Sequence, residues 1–181
     1  MVLGTLRKCG IDYMIRANGV NVRKRISIIM PVYNTGNYLI ESLESLRGQT
    51  FADFEIICVD DASSDPKTIQ ILNEYQEKES RLSVIHLSIN VGAGEARNIG
   101  FLRAVGEYVI FLDADDIYCK DMLRKMYNKI VEEKADVCHC GFWIFDDDDD
   151  KKIHRSERRP SLYDAKEDFF KLAINYVKRV F

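Results

Sequence analysis

The sequence predicts an α/β protein in which helices flank a mainly parallel sheet. Apolar runs of strand length alternate along the chain with segments whose apolar residues recur at helical spacing. Strands that are separated by helices in this way form βαβ units, and such units build parallel sheets. The composition agrees, because 46% of the 181 residues are hydrophobic and 30% are charged. Such a chain has a real core, which excludes a disordered or low-complexity protein.

Five strands are predicted, each on a short apolar run. The first two runs, ISIIMPV at 26–32 and FEIICV at 54–59, are almost continuously apolar, as in strands that a parallel sheet buries on both faces. The predicted strands lie, in chain order, at 26–32, 54–59, 82–87, 108–112 and 136–145.

Five helices are predicted from apolar residues that recur three or four positions apart. Leu39, Leu43 and Leu46 share one face of the first helix. Ala96 and Gly100 give the third helix a face of small residues that can pack closely. The predicted helices lie at 38–46, around 69–75, and at 93–104, 121–133 and 164–179, and the polar segment 146–160 is predicted as a connection.

Charge divides the chain into three parts, although the net charge is only −3. Residues 1–25 carry six basic and one acidic side chains, residues 26–150 carry 11 and 24, and residues 151–181 carry nine and four. The acidic centre argues against a uniformly basic nucleic-acid-binding protein. The basic ends are either solvated or drawn to an anionic membrane surface, and both interpretations stay open.

The five cysteines are odd in number and include no CxxC pair, so they indicate neither a disulfide framework nor a zinc site. Cys138 and Cys140 are interpreted as buried, reduced thiols beside His139, which favours a cytoplasmic setting. No apolar run is long enough for a transmembrane helix, and charged residues interrupt any signal peptide within residues 1–25.

Polar residues follow four of the predicted strands at the point where each strand ends. In a parallel sheet these positions share the carboxyl edge, where ligands bind in the crevice at which the strand order reverses. Turns or helix caps are the competing interpretation, especially for Ser64 and Asp65. The segments concerned are 31–34, 60–65, 90–92 and 113–116.

Asp113 and Asp115 point to a metal, because two carboxylates this close repel each other unless a cation lies between them. Carboxylate oxygens suit Mg²⁺ or Mn²⁺, which keep open positions for phosphate oxygens and water. A divalent ion there would stabilise the charge on a departing nucleoside diphosphate. The competing interpretation is that Asp115 and Asp116 cap the next helix.

Neither a dinucleotide-binding motif nor a phosphate loop is indicated by the sequence. Residues 92–97, GAGEAR, begin like a dinucleotide-binding fingerprint, but Arg97 takes its third glycine position and the motif follows the third strand. No phosphate loop of the form GxxxxGKS or GxxxxGKT is present. The five aspartates at 146–150 are interpreted as a solvated loop.

Five stretches occur together in a characteristic order and spacing within residues 26–145. They are ISIIMPVYN at 26–34, YLIESLESLRGQTF at 38–51, FEIICVDDASSD at 54–65, NVGAGEARNIG at 90–100 and AVGEYVIFLDADD at 104–116. With this combination the chain resembles family 2 glycosyltransferases of the GT-A fold. The resemblance implies a nucleotide-diphosphosugar donor, in the first place a UDP-sugar, and Mn²⁺ or Mg²⁺ as cofactor.

The resemblance also implies which residues bind the nucleotide-sugar. Pro31 and Tyr33 match the strand end that contacts the base. Asp61 matches the carboxylate that reads the uracil edge, with Asp60 beside it. Arg97 matches a position near the nucleotide for which no role is assigned.

Asp113 and Asp115 match the DxD motif of the family, with Asp113 on the ribose side and Asp115 on the metal and the diphosphate. Both are the implied metal ligands. The implied reaction is inverting glycosyl transfer, in which an acceptor hydroxyl attacks the anomeric carbon while the diphosphate leaves. A saccharide or lipid-linked acceptor, as in polysaccharide biosynthesis, would place the enzyme in the cytoplasm or at the inner face of the membrane.

The resemblance divides the chain into a basic head at 1–25, a nucleotide-sugar-binding GT-A domain at 26–145, and an acidic loop and helix at 146–181 that begin the acceptor region. Inverting transfer needs a general base, which the family carries in its acceptor-binding half. The chain is expected to hold the donor half and little of the acceptor half, so no base is assigned. The acidic candidates after the DxD motif are 146–150, Glu157, Asp164, Glu167 and Asp168.

Two other functions stay open at this point. A catalytically silent or truncated module would bind a UDP-sugar without transferring it. A nucleotidyltransferase would want a glycine-rich phosphate loop with a basic residue directly after the first strand, where this chain has YNTG at 33–36.

Overall fold

A seven-stranded sheet forms the centre of the fold. The computed structural model describes residues 6–8, 13–16, 24–141, 143–146, 152–155 and 162–163. The strands in these residues are β1 (Leu6–Lys8), β2 (Tyr13–Arg16), β3 (Lys24–Val32), β4 (Phe54–Asp60), β5 (Leu82–His86), β6 (Gly106–Phe111), β7 (Val137–His139), β8 (Trp143–Asp146), β9 (Lys152–Arg155) and β10 (Leu162–Tyr163).

The helices among the described residues follow the predicted order. They are α1 (Tyr38–Arg47), α2 (Pro66–Lys78), α3 (Ala93–Phe101) and α4 (Met122–Glu132). None of these helices has the length and apolar character of a membrane span.

The strands of the large sheet lie in the order β10-β7-β2-β6-β3-β4-β5. β6, β3, β4 and β5 run parallel to one another, whereas β2 is antiparallel to both of its neighbours, β6 and β7. A second sheet, of three strands, has the order β1-β8-β9. The prediction of a mainly parallel sheet with flanking helices is confirmed.

β3 separates two apolar layers because its side chains alternate between the faces of the sheet. Ile28 and Met30 belong to the larger layer, which includes residues of α1, α2 and α4. Ile29 belongs to the smaller layer, which lies under α3. The predicted close packing of α3 is also found, since an ideal Cβ on Gly100 would lie 2.4 Å from Cγ2 of Ile29. Burial on both faces explains why 26–32 is almost continuously apolar.

β2 lies within the segment for which the sequence predicts a separate head. It fills the gap between β6 and β7, with Ile15 opposite Val109 and Met14 opposite Cys138. The side chain of Met14 is fully buried. A four-residue strand is too short to show a hydrophobic period, so only its pairing with distant strands identifies it.

The predicted strand at 136–145 is two strands that belong to different sheets. β7 pairs with β2 and β10, whereas β8 pairs with β1 and β9. Gly141 lies between them, and a glycine weakens the interior of a strand. The predicted connection at 146–160 contains β9, and the predicted helix at 164–179 lies outside the described residues.

Candidate functional site

A cleft of about 420 Å³ opens at the carboxyl edge of the parallel strands. It lies at β3, which has β4 on one side and β6 on the other, so the strand order reverses there. The lining residues are Pro31, Val32, Tyr33, Asn34, Thr35, Tyr38, Asp61, Ala93, Arg97, Asp113, Ala114 and Asp115. The structure thus brings together every predicted site residue except Asp60.

Pro31 and Tyr33 form the wall at the end of β3. Tyr33 is 53% exposed, although a ring of this size gains free energy when it is buried. Its aromatic face is therefore available for stacking against a flat ligand.

Asn34 joins the loop after β3 to the loop after β4. Its Oδ1 accepts hydrogen bonds from the backbone N–H groups of Ser64 and Asp65, both at 2.9 Å. Its own backbone N–H donates to Oγ of Ser63 at 3.0 Å. Asn34 and Ala62 both adopt left-handed backbone, with φ of 50° and 59°. Non-glycine residues hold this conformation only where the surroundings fix it, so the two loops form one ordered wall.

Asp65 caps α2, as one of the competing sequence interpretations has it. Its carboxylate accepts hydrogen bonds from the backbone N–H groups of Lys67 at 3.2 Å and Thr68 at 3.0 Å. The Thr68 hydroxyl also donates to it at 2.6 Å and accepts from the N–H of Gly36 at 2.8 Å. The hydrogen bond from the Thr68 hydroxyl, together with those from the two backbone amides, holds the pKa of Asp65 below its usual range.

Asp61 lines the cleft but is only 2% exposed. Its Oδ1 accepts a hydrogen bond from the backbone N–H of Val91 at 2.7 Å, and its Oδ2 accepts one from Gly92 at 2.8 Å. Gly92 precedes α3 with a φ of 86°, a conformation that glycine adopts without strain. The Asp61 carboxylate therefore holds the backbone directly before α3 in place beside the cleft.

Asp60 is buried and does not line the cleft, unlike the other predicted site residues. Its Oδ2 lies 2.8 Å from Nδ1 of His86 at the end of β5, and its Oδ1 accepts a hydrogen bond from the N–H of Ser63 at 3.0 Å. Asp60 is the last residue of β4 and Asp61 the first residue after it, and their carboxylates bind different parts of the chain. Asp60 thus holds the loop after β4, which Asn34 joins to the loop after β3.

Asp113 and Asp115 lie in a tight turn directly after β6. The backbone N–H of Asp116 donates to the carbonyl of Asp113 at 3.0 Å, which places Ala114 and Asp115 at the centre of the turn. The Asp113 carboxylate forms an ion pair with the guanidinium of Arg97 from α3. The Asp115 carboxylate is exposed and has no hydrogen bond or ion pair with any residue that the structure describes.

The capping interpretation for Asp115 and Asp116 is wrong. α4 begins at Met122 after Asp121, well beyond the turn. Asp116 is buried, and its carbonyl accepts a hydrogen bond from the hydroxyl of Ser42. Asp115 lines the cleft, caps no helix and has no partner among the residues that the structure describes.

The chemistry of the turn fits a divalent metal ion. Asp113 and Asp115 supply carboxylate oxygens, and Asp113 also forms an ion pair with Arg97. Within the residues that the structure describes, no group of three or more His, Cys, Asp and Glu side chains comes together as a metal centre. A two-carboxylate site suits Mg²⁺ or Mn²⁺, which complete their shell with water and substrate phosphates.

Sequence reasoning missed three residues that line the cleft: Thr35, Tyr38 and Ala93. Tyr38 and Ala93 are the first residues of α1 and α3. The signal that could have found them is positional, because the first turn of a helix that follows a parallel strand lies at the carboxyl edge.

The remaining sequence motifs lie away from the cleft. Cys138 and His139 are buried in β7, and burial raises the pKa of the Cys138 thiol. Cys140 is partly buried, and both cysteines are free thiols. Asp146 ends β8, and the candidates for a general base after it lie outside the described residues.

Comparison with known proteins gives one consistent family. Residues 27–178 match the family model described as glycosyl transferase family 2. The chain is 37% identical over 124 residues to glycosyltransferase GlyG of Streptococcus pneumoniae, an alignment that covers 68% of this chain and 41% of GlyG.

Two solved structures share the fold. Residues 1–349 of S. aureus TarS, in complex with UDP-GlcNAc, superpose with a TM-score of 0.58 at 39% identity, over 62% of this chain and 32% of that one. The mannosyltransferase PcManGT of Pyrobaculum calidifontis, in complex with GDP-Man and Mn²⁺, gives 0.57 at 25% identity, over 64% of this chain and 34% of that one. The chain therefore spans less than half the length of each of these three relatives.

Proposed function

The chain belongs to glycosyl transferase family 2, and we propose that it transfers a sugar from a UDP-sugar to a saccharide or lipid-linked acceptor. The observation that carries the proposal is the cleft at the point where the strand order reverses. It combines an exposed aromatic ring with an acidic turn that retains a free carboxylate, the chemistry that a base and a metal-bound diphosphate require.

Donor binding would divide between the two sides of the cleft. Pro31 and Tyr33 would contact the base, with the ring of Tyr33 as the stacking surface. Asp61 would read the uracil edge with the lone pairs that its two backbone hydrogen bonds leave free. Support for a uridine donor comes from TarS, whose structure holds UDP-GlcNAc. Asp60 would act indirectly, through the loop that it fixes.

Asp115 and Asp113 would hold Mn²⁺ or Mg²⁺ at the diphosphate. When it is bound, the ion supplies a positive charge that stabilises the diphosphate as leaving group. Support comes from the free carboxylate of Asp115 and from PcManGT, whose structure holds Mn²⁺ together with GDP-Man. The Arg97 guanidinium would keep Asp113 oriented and contribute positive charge beside the phosphates.

The reaction would be inverting transfer by direct displacement. The acceptor hydroxyl oxygen forms a bond to the anomeric carbon while the bond from that carbon to the diphosphate oxygen breaks. The hydroxyl proton passes to a general base. The cleft carboxylates of the described residues have other roles in this arrangement, and the base is therefore not assigned to any of them.

Thermal unfolding with UDP and Mn²⁺ tests the donor site. Binding to the folded state raises the melting temperature by mass action, so the wild-type chain should gain several degrees and Asp115→Ala should gain none. Asp53→Ala is a matched control because Asp53 is exposed at the opposite edge of the sheet, where it pairs with Lys24 and Arg25. No shift in the wild-type protein would refute the donor site.

An assay of sugar transfer and donor hydrolysis then separates an enzyme from a silent binding module. A thermal shift with turnover of UDP-sugar supports the proposed function. A shift without any turnover supports the alternative, a UDP-sugar-binding module that lacks activity by itself.

Location at the inner face of the membrane is part of the proposal when the acceptor is lipid-linked. The support is the excess of basic residues in 1–25 and 151–181. Sedimentation with anionic liposomes at low and high salt tests it, because binding that rests on charge is lost at high salt.

A further inference from the structure

The stretch YLIESLESLRGQTF at 38–51 contains polar residues that donor binding leaves without a role. Ser42, Ser45 and Gln49 recur at helical spacing along α1 and the turn after it. Ser42 is fully buried, and Gln49 is 8% exposed. Buried polar side chains persist where hydrogen bonds satisfy them, so their partners reveal what they do.

The two serines bind the backbone that leaves the acidic turn. The hydroxyl of Ser42 donates a hydrogen bond to the carbonyl of Asp116, the last residue of the turn. The Oγ of Ser45 accepts a hydrogen bond from the backbone N–H of Tyr118 at 3.1 Å. The Ser45 hydroxyl itself donates to the carbonyl of Ser42 at 2.7 Å, which orients its lone pairs toward Tyr118.

Gln49 continues this contact one turn further along. Its Nε2 donates hydrogen bonds to the carbonyls of Ser45 at 3.0 Å and Cys119 at 2.9 Å. Its Oε1 accepts one from the N–H of Leu123 in the first turn of α4, at 3.2 Å. A single side chain thus joins α1, the connection after the acidic turn, and α4. We call Ser42, Ser45 and Gln49 the α1 clamp.

Asp115 lies at the other end of the connection that the α1 clamp holds. Its turn is closed by the hydrogen bond from Asp116 N–H to the carbonyl of Asp113, at 3.0 Å. The hydroxyl of Tyr118 donates back to the carbonyl of Phe111 at the end of β6, at 3.2 Å. The turn is therefore fixed to the sheet on one side and to α1 on the other.

We propose that the α1 clamp positions Asp115 for metal binding by holding the backbone after the Asp113–Asp116 turn in one conformation. None of the three clamp residues lines the cleft, so they act through the backbone and not on the ligand. A carboxylate whose backbone is ordered before the metal arrives loses less conformational freedom on binding and therefore binds more tightly. This inference rests on the proposed function, because it takes Asp115 to be a metal ligand.

The test is the affinity for Mn²⁺ in the presence of UDP, measured by electron paramagnetic resonance of free Mn²⁺ and by calorimetry. Ser42→Ala and Gln49→Met remove clamp hydrogen bonds and should weaken Mn²⁺ binding about 10- to 100-fold, the range for residues that orient a metal ligand. Ser45→Ala should also weaken it, and Ser45→Thr, which keeps the hydroxyl, should restore it.

Ser27→Ala is the matched control. Ser27 is also a fully buried serine with two hydrogen bonds, to Glu55 at 2.5 Å and from the N–H of Gly106 at 2.8 Å, but it lies at the amino-terminal end of β3. The Ser27→Ala variant should have a lower melting temperature, like the clamp variants, but an unchanged affinity for Mn²⁺.

Two results would overturn the inference, and they are distinguishable. If the wild-type protein binds Mn²⁺ with UDP and folded clamp variants bind it equally well, the clamp serves only the stability of the fold. If the wild-type protein itself binds no Mn²⁺ with UDP, the proposed function fails and the inference fails with it.

Discussion

The two edges of the parallel sheet use polar residues in opposite ways. At the amino edge, the Ser27 hydroxyl accepts a hydrogen bond from the N–H of Gly106 and donates one to the Glu55 carboxylate. That carboxylate also accepts a hydrogen bond from the N–H of Val105 at 2.9 Å. At the carboxyl edge, Asp115 retains a carboxylate with no partner among the described residues. Polar groups whose hydrogen bonds are made within the protein stabilise the fold, whereas a charged group that stays exposed in a cleft is available to bind a ligand.

Backbone conformation shows the contrast in part. Of the five described residues with positive φ, four lie beside the cleft, namely Asn34, Gly36, Ala62 and Gly92, and the fifth, Lys134, follows α4. Left-handed conformations cost free energy for residues with a Cβ, and the cross-loop hydrogen bonds of Asn34 offset this cost. Changes at the amino edge should therefore affect folding alone, whereas changes to the residues that line the cleft at the carboxyl edge should affect binding.

The largest expected effect is that of Gly106→Ala at the amino edge. A Cβ on Gly106 would lie 2.5 Å from the backbone N of Ser27, and backbone cannot move aside. We expect a loss of about 3 kcal/mol in the free energy of unfolding, measured by urea denaturation. The protein that remains folded should bind UDP and Mn²⁺ as the wild type does. Weakened binding in this folded fraction would contradict the separation of the two edges.

Asp61→Asn should affect both properties, because Asp61 is buried at the carboxyl edge and satisfied by the protein. An amide group in place of one oxygen would face the N–H of Val91 or Gly92 and leave it unpaired. This should lower stability by about 1–3 kcal/mol and also weaken UDP binding, since the entry of α3 loosens. Denaturation and calorimetry measure the two effects, and a loss of stability with full UDP affinity would assign Asp61 to the fold alone.

Arg97→Ala should change binding more than folding. Its ion pair with Asp113 is partly exposed, and such pairs contribute about 1 kcal/mol or less. Loss of positive charge from the cleft should weaken binding of UDP with Mn²⁺ about 10-fold, measured by calorimetry. Arg25→Ala is the control at the amino edge, where Arg25 pairs with Glu107 at 3.0 Å. Equal affinities for the two variants would show that Arg97 has no part in the site.

The smallest expected effect concerns acid stability through Asp65. Its folded-state pKa lies below the ordinary value of 3.8, so its contribution to stability is complete above that value and is lost as the pH falls through the folded-state pKa. Asp65→Asn keeps an acceptor for the cap but no longer titrates. The melting temperature of the variant should therefore fall less steeply than that of the wild type as the pH drops below 3.8. If the melting temperatures of the two proteins fall equally steeply at acid pH, groups other than Asp65 account for the loss of stability.

The site could be predicted where it depends on position along the chain, and not where it depends on side-chain direction. Asp113 and Asp115 follow a buried strand, so the sequence alone locates them at the carboxyl edge. Asp60 contacts His86, whereas Asp61 contacts the backbone of Val91 and Gly92. These contacts depend on where β5 and the loop after it lie in the fold. Contacts between segments this distant leave no local pattern to detect.

The fold follows the same division. The strands at 26–32 and 54–59 are predictable from apolar runs, and the face of α3 is predictable from helical periodicity, because both are local properties of the sequence. The four residues of β2 have no period of their own, and only the gap between β6 and β7 makes them a strand. The division of residues 136–145 into β7 and β8, which belong to different sheets, likewise depends on pairing with strands far away in the chain.

The position of β2 has a consequence for the order in which the chain can fold. Within the large sheet β2 comes first in sequence, yet its neighbours β6 and β7 are among the later strands. During synthesis the β3–β6 region can assemble as each βαβ unit emerges, while β2 has no partner until β6 has left the ribosome. We therefore expect the insertion of β2, with Met14 entering the core, to be a late step that closes a long loop, and such steps slow folding.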